Sequence, residues 1–373
     1  MIHCGALHTP EDFQRIKENI DKSPWKEGYD KLCANWHAQT TYVPNPQESI
    51  IRGSGTAENY SKAFNDVAAA YQLALRWKIS GDNAFADKAI EILNGWAYKC
   101  KLITGTTDMS LAAGIYGYQF AVAGELMRDY EGWAENDFKA YQDWMVNVFY
   151  PMNNDFLVRH HDTPGGHYWA NWGLCNIASV IAIGILADRR DIYNEGIEHF
   201  QVGETNGCIT KAIYHVFDGE NSNLAQWQES NRDQGHTYMC QGLMGVICQL
   251  TWNQGDDFFG YNDNMFIKAC EYTAKYNYAG LDVPNVPYTR EYKGPYGVAY
   301  EEHPTISARA IIHRPIWALP YYHYAKIKGV DAEKIKYTKM AMDVESPEGG
   351  GGDYGTNSGE FDNLGFGTLM YAR

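Results

Sequence analysis

Apolar residues recur along this chain at the three- and four-residue steps of helices, and strand-like alternation is confined to short pieces. Thr9-Pro10-Glu11-Asp12 supplies a capping hydroxyl, a proline at the first helical position and two acids in the first turn, which predicts a helix start. Its partner is expected from about Pro24 to Gln39. Between Tyr60 and Ser80, the side chains of Val67, Tyr71 and Leu75 share one face. Gly81-Asp82 then turns the chain into Ala84 to Lys99, where Phe85, Ala89, Ile90, Leu93 and Trp96 form a stripe, so the pair reads as an αα-hairpin. Further helices are predicted over Ser110 to Asp129, Glu135 to Tyr150, Trp172 to Asp188, Ile192 to Val202, Asp233 to Trp252, Asn262 to Tyr278, Pro315 to Lys328 and Ala332 to Met342. Ile209 to Val216 suits either helix or strand.

About a dozen amphipathic helices with short links, and no sustained βαβ alternation, leave a solenoid or a toroid of helix pairs. No fixed period runs through the chain, so an all-α toroid is preferred. At 373 residues the chain exceeds a typical domain, yet no linker breaks it; a single domain over 1–373 is expected, with a Gly-rich segment, 344–373, packed on it. Leu281 to His303 and Glu345 to Gly367 are the long irregular pieces, where function is expected to sit.

Composition narrows the partners. Aromatics make up 14%, with 28 Tyr and 11 Trp, enough to fill a core and leave rings for carbohydrate stacking. The net charge of −15 argues against nucleic acid. It does not argue against an acidic ligand, because a screening length of about 8 Å lets a local basic cleft act independently of distant surface acids. Eight cysteines without CxxC spacing, Cys4 among them, read as buried thiols. No stretch reaches the ~20 apolar residues of a membrane span; Ile177 to Ala187 is the longest candidate. Met1-Ile2-His3 leads almost directly into a helix, so a signal peptide is presumed already removed and a periplasmic or secreted location is expected.

Three segments concentrate polar chemistry. In Glu229 to His236, Arg232 and His236 are four apart, and a helix starting near Arg232 would project both beside unpaired N–H groups, making an anion site. The plainer alternative is a capped helix whose Glu229 and Asp233 neutralise Arg232. In Arg159 to Gly173, His167 and Asn171 repeat the four-residue spacing, with His160 and His161 upstream. The run lacks HExxH and has only Asp162 as a nearby carboxylate, so no metal or other cofactor is expected. Trp169 and Trp172 suit sugar stacking or core packing. In the third segment Tyr296 stands between Pro295 and Gly297, in a loop bearing Arg290 and Lys293, as an acid/base tyrosine would. Together these suit proton removal beside a carboxylate. In a uronic acid the C5 hydrogen becomes removable once donors such as His167, Asn171, Arg232 and His236 neutralise the C6 carboxylate; an acid then protonates the departing O4.

Val67 to Trp77, Gly81-Asp82 and Ala86 to Ala97 resemble the helix-hairpin repeat of the alginate-lyase-like polysaccharide lyases. His167-Tyr168-Trp169-Ala170-Asn171-Trp172 and Arg232-Asp233-Gln234-Gly235-His236 are similar to that superfamily's site motifs, and the pattern is closest to lyase family 38, with its alginate and glucuronan lyases. The resemblance covers nearly the whole chain. It implies an incomplete (α/α) barrel of about six or seven helix pairs, a long cleft, no obligatory metal, and a tyrosine proton donor with an arginine beside it, roles that fall on Tyr296 and Arg290. In the better-known alginate lyase branch an Asn-His pair precedes Tyr-Trp after an intervening residue, whereas here Gly165-Gly166-His167 abuts Tyr168. Which histidine neutralises and which group takes the proton therefore stays open. Tyr168, Gln234, Tyr238, Glu229, Lys293, His160 and His161 join Arg232, Trp169 and Trp172 as candidate substrate contacts.

The expected activity is β-elimination in a 1,4-linked polyuronate, mannuronate-containing alginate first and glucuronan second, by a monomer. A glycoside hydrolase using Glu229, Asp233 or Glu301 and Glu302, and a non-catalytic carbohydrate binder, are the competing readings.

Overall fold

The computed structural model describes residues 1–3 and 5–373; Cys4 and its expected burial lie outside the described residues. The helices are α1 (Pro10–Asn19), α2 (Trp25–Ala34), α3 (Ser61–Ser80), α4 (Asn83–Lys99), α5 (Met109–Met127), α6 (Glu135–Trp144), α7 (Tyr150–Arg159), α8 (Ala170–Leu186), α9 (Arg190–Val202), α10 (Ile209–Ala212), α11 (Gln234–Trp252), α12 (Tyr261–Asn277), α13 (Ala318–Tyr322), α14 (Lys336–Glu345) and α15 (Gly367–Tyr371). Three two-stranded sheets lie between them: β1 (Ser49–Arg52) parallel to β2 (Leu102–Gly105), β3 (Ile213–Val216) antiparallel to β4 (Ala225–Trp227), and the hairpin β5 (Tyr288–Gly294) with β6 (Gly297–His303). The result is a mostly helical, incomplete toroid.

Local chemistry accounts for the boundaries. Thr9 and Asp12 form a capping box at α1, and Gly81 ends α3 in the left-handed conformation that spares a Cβ clash. Three expectations needed correction. The run from Glu135 continues past Tyr150 through a π turn (Met145–Phe149) into α7, the wider turn accommodating Pro151, which has no N–H to give to the turn before it. Pro315 to Lys328 yields only α13 and a π turn. The second half of the irregular stretch from Leu281 is an ordered hairpin, paired from Tyr288 with His303 to Gly294 with Gly297.

α3, α5, α8 and α11 form the inner ring. Cβ atoms built on Gly114 and Gly117 of α5 would lie 2.4 Å from Cys175 Sγ and 2.1 Å from Ser179 Oγ of α8. These two helices touch through bare backbone, and since contacts advance together along both, they run parallel. Lys78 near the end of α3 pairs with Asp129 just beyond α5 (2.5 Å), which gives α3 the same direction. α9 instead runs against α8, Gly184 meeting Tyr193 and Gly196 meeting Ile181. The inner helices therefore begin at one mouth of the ring and the outer ones return the chain. α5 and α8 are buried almost all round, as inner-ring helices must be.

The C-terminal segment packs against the inner ring, meeting α3, α5 and α11. Its buried backbone carbonyls need donors, which the ring supplies: Asn35 Nδ2 (3.0 Å) and Gln72 Nε2 (2.9 Å) donate to Gly351 O, and Gln119 Nε2 donates to Phe361 O (2.6 Å). Phe361 stacks on Phe64 of α3 at 4.3 Å.

Burial also makes the fold acid-sensitive. It lowers the pKa of His8 and of His37 to about 4, and that of His323 to about 3. Above the ordinary value of 6.5 both folded and unfolded chains hold these rings neutral. As pH falls from 6.5 toward about 4 the unfolded chain binds protons that the folded chain refuses, and each histidine removes up to about 1.4 kcal/mol of stability per pH unit. Urea unfolding between pH 7 and 4.5 is expected to show this loss, with a slope shallower by about one proton in His8→Gln; an unchanged slope would exclude His8 as a source.

Candidate active site

The mouth of the ring holds a cavity of about 370 Å³. α8 contributes Asn171 and Trp172, α11 contributes Gly235, His236 and Met239, and the start of α5 contributes Asp108 and Leu111. Arg232 and Asp233 enter from the turn before α11, Arg52 from the end of β1, Arg314 from the turn before α13, and Ser358, Gly359 and Asp362 from the C-terminal segment. Three helix N-termini thus face one space, and their aligned peptide dipoles favour an anion there.

A buried carboxylate organises one wall. Glu229 is fully buried and accepts from Asn171 Nδ2 (2.6 Å), Asn171 N (3.2 Å) and Arg232 Nη1 (3.2 Å). Gln228 Oε1 accepts from Ala170 N (2.9 Å) beside it, so this strand-to-turn segment caps α8 across a gap of nearly sixty residues. Glu229, expected among the substrate contacts, lies buried and holds Asn171 and Arg232 in place. The helix also starts later than expected: Asp233 caps α11 through His236 N (2.8 Å), leaving Arg232 in the preceding turn.

His236 and Asp233 form a dyad, Nδ1 to Oδ2 at 2.6 Å. Burial alone would raise Asp233, but the side-chain and backbone hydrogen bonds from His236, with the charges of His236 and Arg232, hold its pKa below the usual carboxylate value. An ionised carboxylate only accepts, so Nδ1 donates to Asp233, and in the uncharged form of the ring the lone pair lies on Nε2. His167 has the opposite tautomer. Its Nδ1 accepts from Lys293 N (2.8 Å), which leaves the ring proton on Nε2; burial, Arg290 and Lys293 lower its pKa, so it is neutral and a donor.

The cavity is not a surplus of positive charge. Arg52, Arg232 and Arg314 share it with Asp108, Asp233 and Asp362. Asp362, raised by burial against the opposing charges of Arg314, Arg52 and His236, lies 3.4 Å from Arg314. What this space offers an anion is aimed N–H groups and helix ends more than net charge.

The remaining predicted residues divide. Gln234 is buried, bonded to Ser230 O, Ser307 Oγ and Asn277 Nδ2. Tyr238 is buried with its hydroxyl on Ala310 O (3.3 Å), and His160 is a buried helix terminus on Leu157 O (3.0 Å). All three, expected among the substrate contacts, are buried with protein partners. Trp169, 7% exposed, takes the core-packing alternative, with the guanidinium groups of Arg232 and Arg290 each 5.2 Å from its ring. Trp172 remains half-buried against Tyr168 and Phe156, and His161 bonds Ser110 Oγ (2.9 Å).

The hairpin is fastened beside the cavity. Arg290 Nε and Nη2 donate to His167 O (3.0 and 2.6 Å), Arg290 Nη1 to Glu301 (3.2 Å), and Lys293 Nζ to Asp162 O (3.0 Å). Tyr296, at its tip, is fully exposed and makes no hydrogen bond or ring contact with any described residue. The expected cationic environment around its hydroxyl is absent, because both neighbouring cations are spent on the 160s loop. Arg52, Asp108, Arg314 and Asp362 went unforeseen; each stands in an unremarkable local pattern, and only the Gly-rich tail had signalled function. Among the described residues no cluster of three or more His, Cys, Asp or Glu could hold a metal ion, and no helix is long and apolar enough to cross a membrane.

An incomplete helical toroid with a cleft of hydrogen-bond donors at the mouth of its inner ring is an architecture suited to acting on acidic polysaccharides. The sequence profile of the alginate lyase family matches residues 12–282, and the chain belongs to that family; it is a polysaccharide lyase. No curated protein matches the chain. Among solved structures, a variant of alginate lyase A1-III complexed with a tetrasaccharide is similar at 13% identity and a TM-score of 0.64, over 99% of this chain and 96% of that one. An alginate lyase from Bacteroides ovatus is similar at 15% identity and 0.53, over 74% and 84%. Alginate lyase A1-III from Sphingomonas species A1 gives 14% and 0.50, over 70% and 74%. At these identities the likeness is one of fold.

Glu229 gives this site its sharpest test. Glu229→Ala leaves Asn171 and Arg232 without their buried acceptor and is expected to cost about 3–5 kcal/mol in urea unfolding. Glu229→Gln keeps the shape with a smaller loss of stability, and is expected to lower turnover at least tenfold because the donors lose their charged anchor; wild-type turnover in that variant would remove Glu229 from the argument.

Proposed function

We propose that this protein cleaves 1,4-linked polyuronates by β-elimination, with mannuronate-containing alginate as preferred substrate and glucuronan as second. The observation that carries the reading is the single cavity in which Asn171, Arg232 and His236 meet three helix N-termini. The C6 carboxylate of the uronate is received by Asn171 and Arg232, so that charge flowing into it as H5 leaves meets donors already in place. His236, oriented by Asp233, takes H5 on Nε2. Tyr296, carried on the hairpin that Arg290 and Lys293 fasten, protonates the departing O4, and His167 donates from Nε2 beside it.

A second assignment gives Tyr296 both transfers, since H5 and O4 lie on the same ring side in β-D-mannuronate and β-D-glucuronate. The solvent-exposed hydroxyl, with no cation held against it, favours His236 as base. A hydrolase draws less support: Glu229 is buried and saturated, Asp233 is bound to His236, and Glu301 is held by Arg290 and His303. A site complete within one chain suits a monomer, and a polymeric substrate that cannot cross a membrane suits a periplasmic or secreted enzyme.

Incubation with defined polyuronates is expected to generate ultraviolet absorbance from the C4=C5 double bond; reducing ends without that absorbance would indicate hydrolysis, and binding without product a non-catalytic protein. Tyr296→Phe is expected to lose cleavage by at least about a hundredfold, the usual scale of general acid catalysis, while still exchanging H5 with D₂O. His236→Asn is expected to lose both. Loss of exchange in Tyr296→Phe would give the tyrosine both roles, and wild-type cleavage would remove it from the mechanism.

A further inference from the structure

A second, larger cavity of about 670 Å³ opens on the other side of the C-terminal segment. The two cavities share a wall: Gly352, Gly355, Thr356 and Phe361 face this one, and Ser358, Gly359 and Asp362 face the first. Its volume lies within the range of about 300–1,000 Å³ usual for ligand pockets. Nothing in the reaction derived above uses it.

Its lining is built for a sugar ring. Trp36 is 56% exposed yet held in place, its ring 3.6 Å from that of His37 and stacked on Tyr42 at 5.7 Å. His37 is buried and fixed by Asn65 Oδ1 (2.8 Å). Asp66 pins the facing loop, accepting from Tyr42 Oη (2.7 Å) and Asn45 N (2.8 Å) while Trp96 Nε1 (2.7 Å) ties it to α4. An indole that stays in solvent although two buried polar groups, His37 and Asp66, order its supports is a platform, not an unfinished piece of core. Lys62, in the first turn of α3, also faces the cavity; its ammonium lies in the field of the Asp66 carboxylate but makes no hydrogen bond or close ion pair with any described residue. With Asp66 already accepting from three donors, the Lys62 ammonium keeps all three of its N–H groups for an anion entering the pocket.

We infer that this cavity is a distal subsite for one uronosyl unit of the polymer, the ring stacked on Trp36 and the carboxylate paired with Lys62. The inference rests on the polyuronate reading and deepens it. The strap of residues 352–362 lies between the subsite and the reacting centre, so a chain seated in both must cross it. Only substrates long enough to cross gain the contact, which makes chain length a determinant of affinity and leaves the chemical step untouched.

The test compares wild type with Trp36→Ala and Lys62→Met on oligomannuronates of graded length, following the unsaturated product. Both variants alter exposed side chains and are expected to melt as wild type does. For long oligomers KM is expected to rise about tenfold, the equivalent of about 1.4 kcal/mol, with kcat unchanged; for the shortest cleaved oligomer neither constant should move. An unchanged KM on long oligomers overturns the subsite, and so does an equal loss at every length. If wild type yields no unsaturated product from any polyuronate, the lyase reading fails, and calorimetry with a long oligomannuronate then decides the subsite separately: weaker binding by Trp36→Ala supports it and equal binding overturns it.

Discussion

The parallel packing of α5 against α8 is the constraint on which the rest of the molecule depends. Gly114 and Gly117 bring the two backbones together with no side chain between them, and the match to Cys175 and Ser179 sets the axial level at which both helices start. Any Cβ at these positions would have to push the inner ring apart. Because α3 and α11 join the same ring, helix starts from four separated parts of the sequence come to one mouth. The site is a consequence of that alignment: it consists of first-turn residues and of the loops that feed them.

At that mouth the protein solves a problem of charge. A polyuronate brings one negative charge per unit, yet a bare cluster of arginines would repel itself in a half-buried cavity. Each guanidinium is instead given a carboxylate or aromatic neighbour: Arg232 has Glu229 and Trp169, Arg314 has Asp362, and Arg290 has Glu301 and Trp169. What remains for the substrate is direction, from amide, imidazole and guanidinium N–H groups already aimed and from helix ends that need no counterion. In the proposed elimination, preorganised dipoles of this kind cost no rearrangement as charge builds on the sugar acid.

The C-terminal segment has two uses. It packs buried backbone against the inner ring, satisfied by Asn35, Gln72 and Gln119, and it forms the partition between the cavity at the mouth and the Trp36 cavity. Glycines 349–352 allow this close threading; a Cβ at Gly351 would meet the ring of Phe361 at 2.7 Å. An irregular tail is thereby turned into a rigid part of the cleft.

Read alone, the chain's periodicity determined that the fold is a set of helix pairs, because burying one stripe per helix writes the 3.6-residue repeat directly into the residues. The charged starts of α8 and α11 were legible for a related reason: Asn171, Arg232 and His236 are too polar to precede apolar helices without a use. Burial could not be read. Glu229, Gln234 and Tyr238 sit in the same local patterns as their neighbours, and only packing decided that they face inward. Arg52, Arg314 and Asp362 carried no local mark at all, since a cavity gathered from residues more than three hundred positions apart is defined by which helices touch, and that depends on contacts between segments that no single segment encodes.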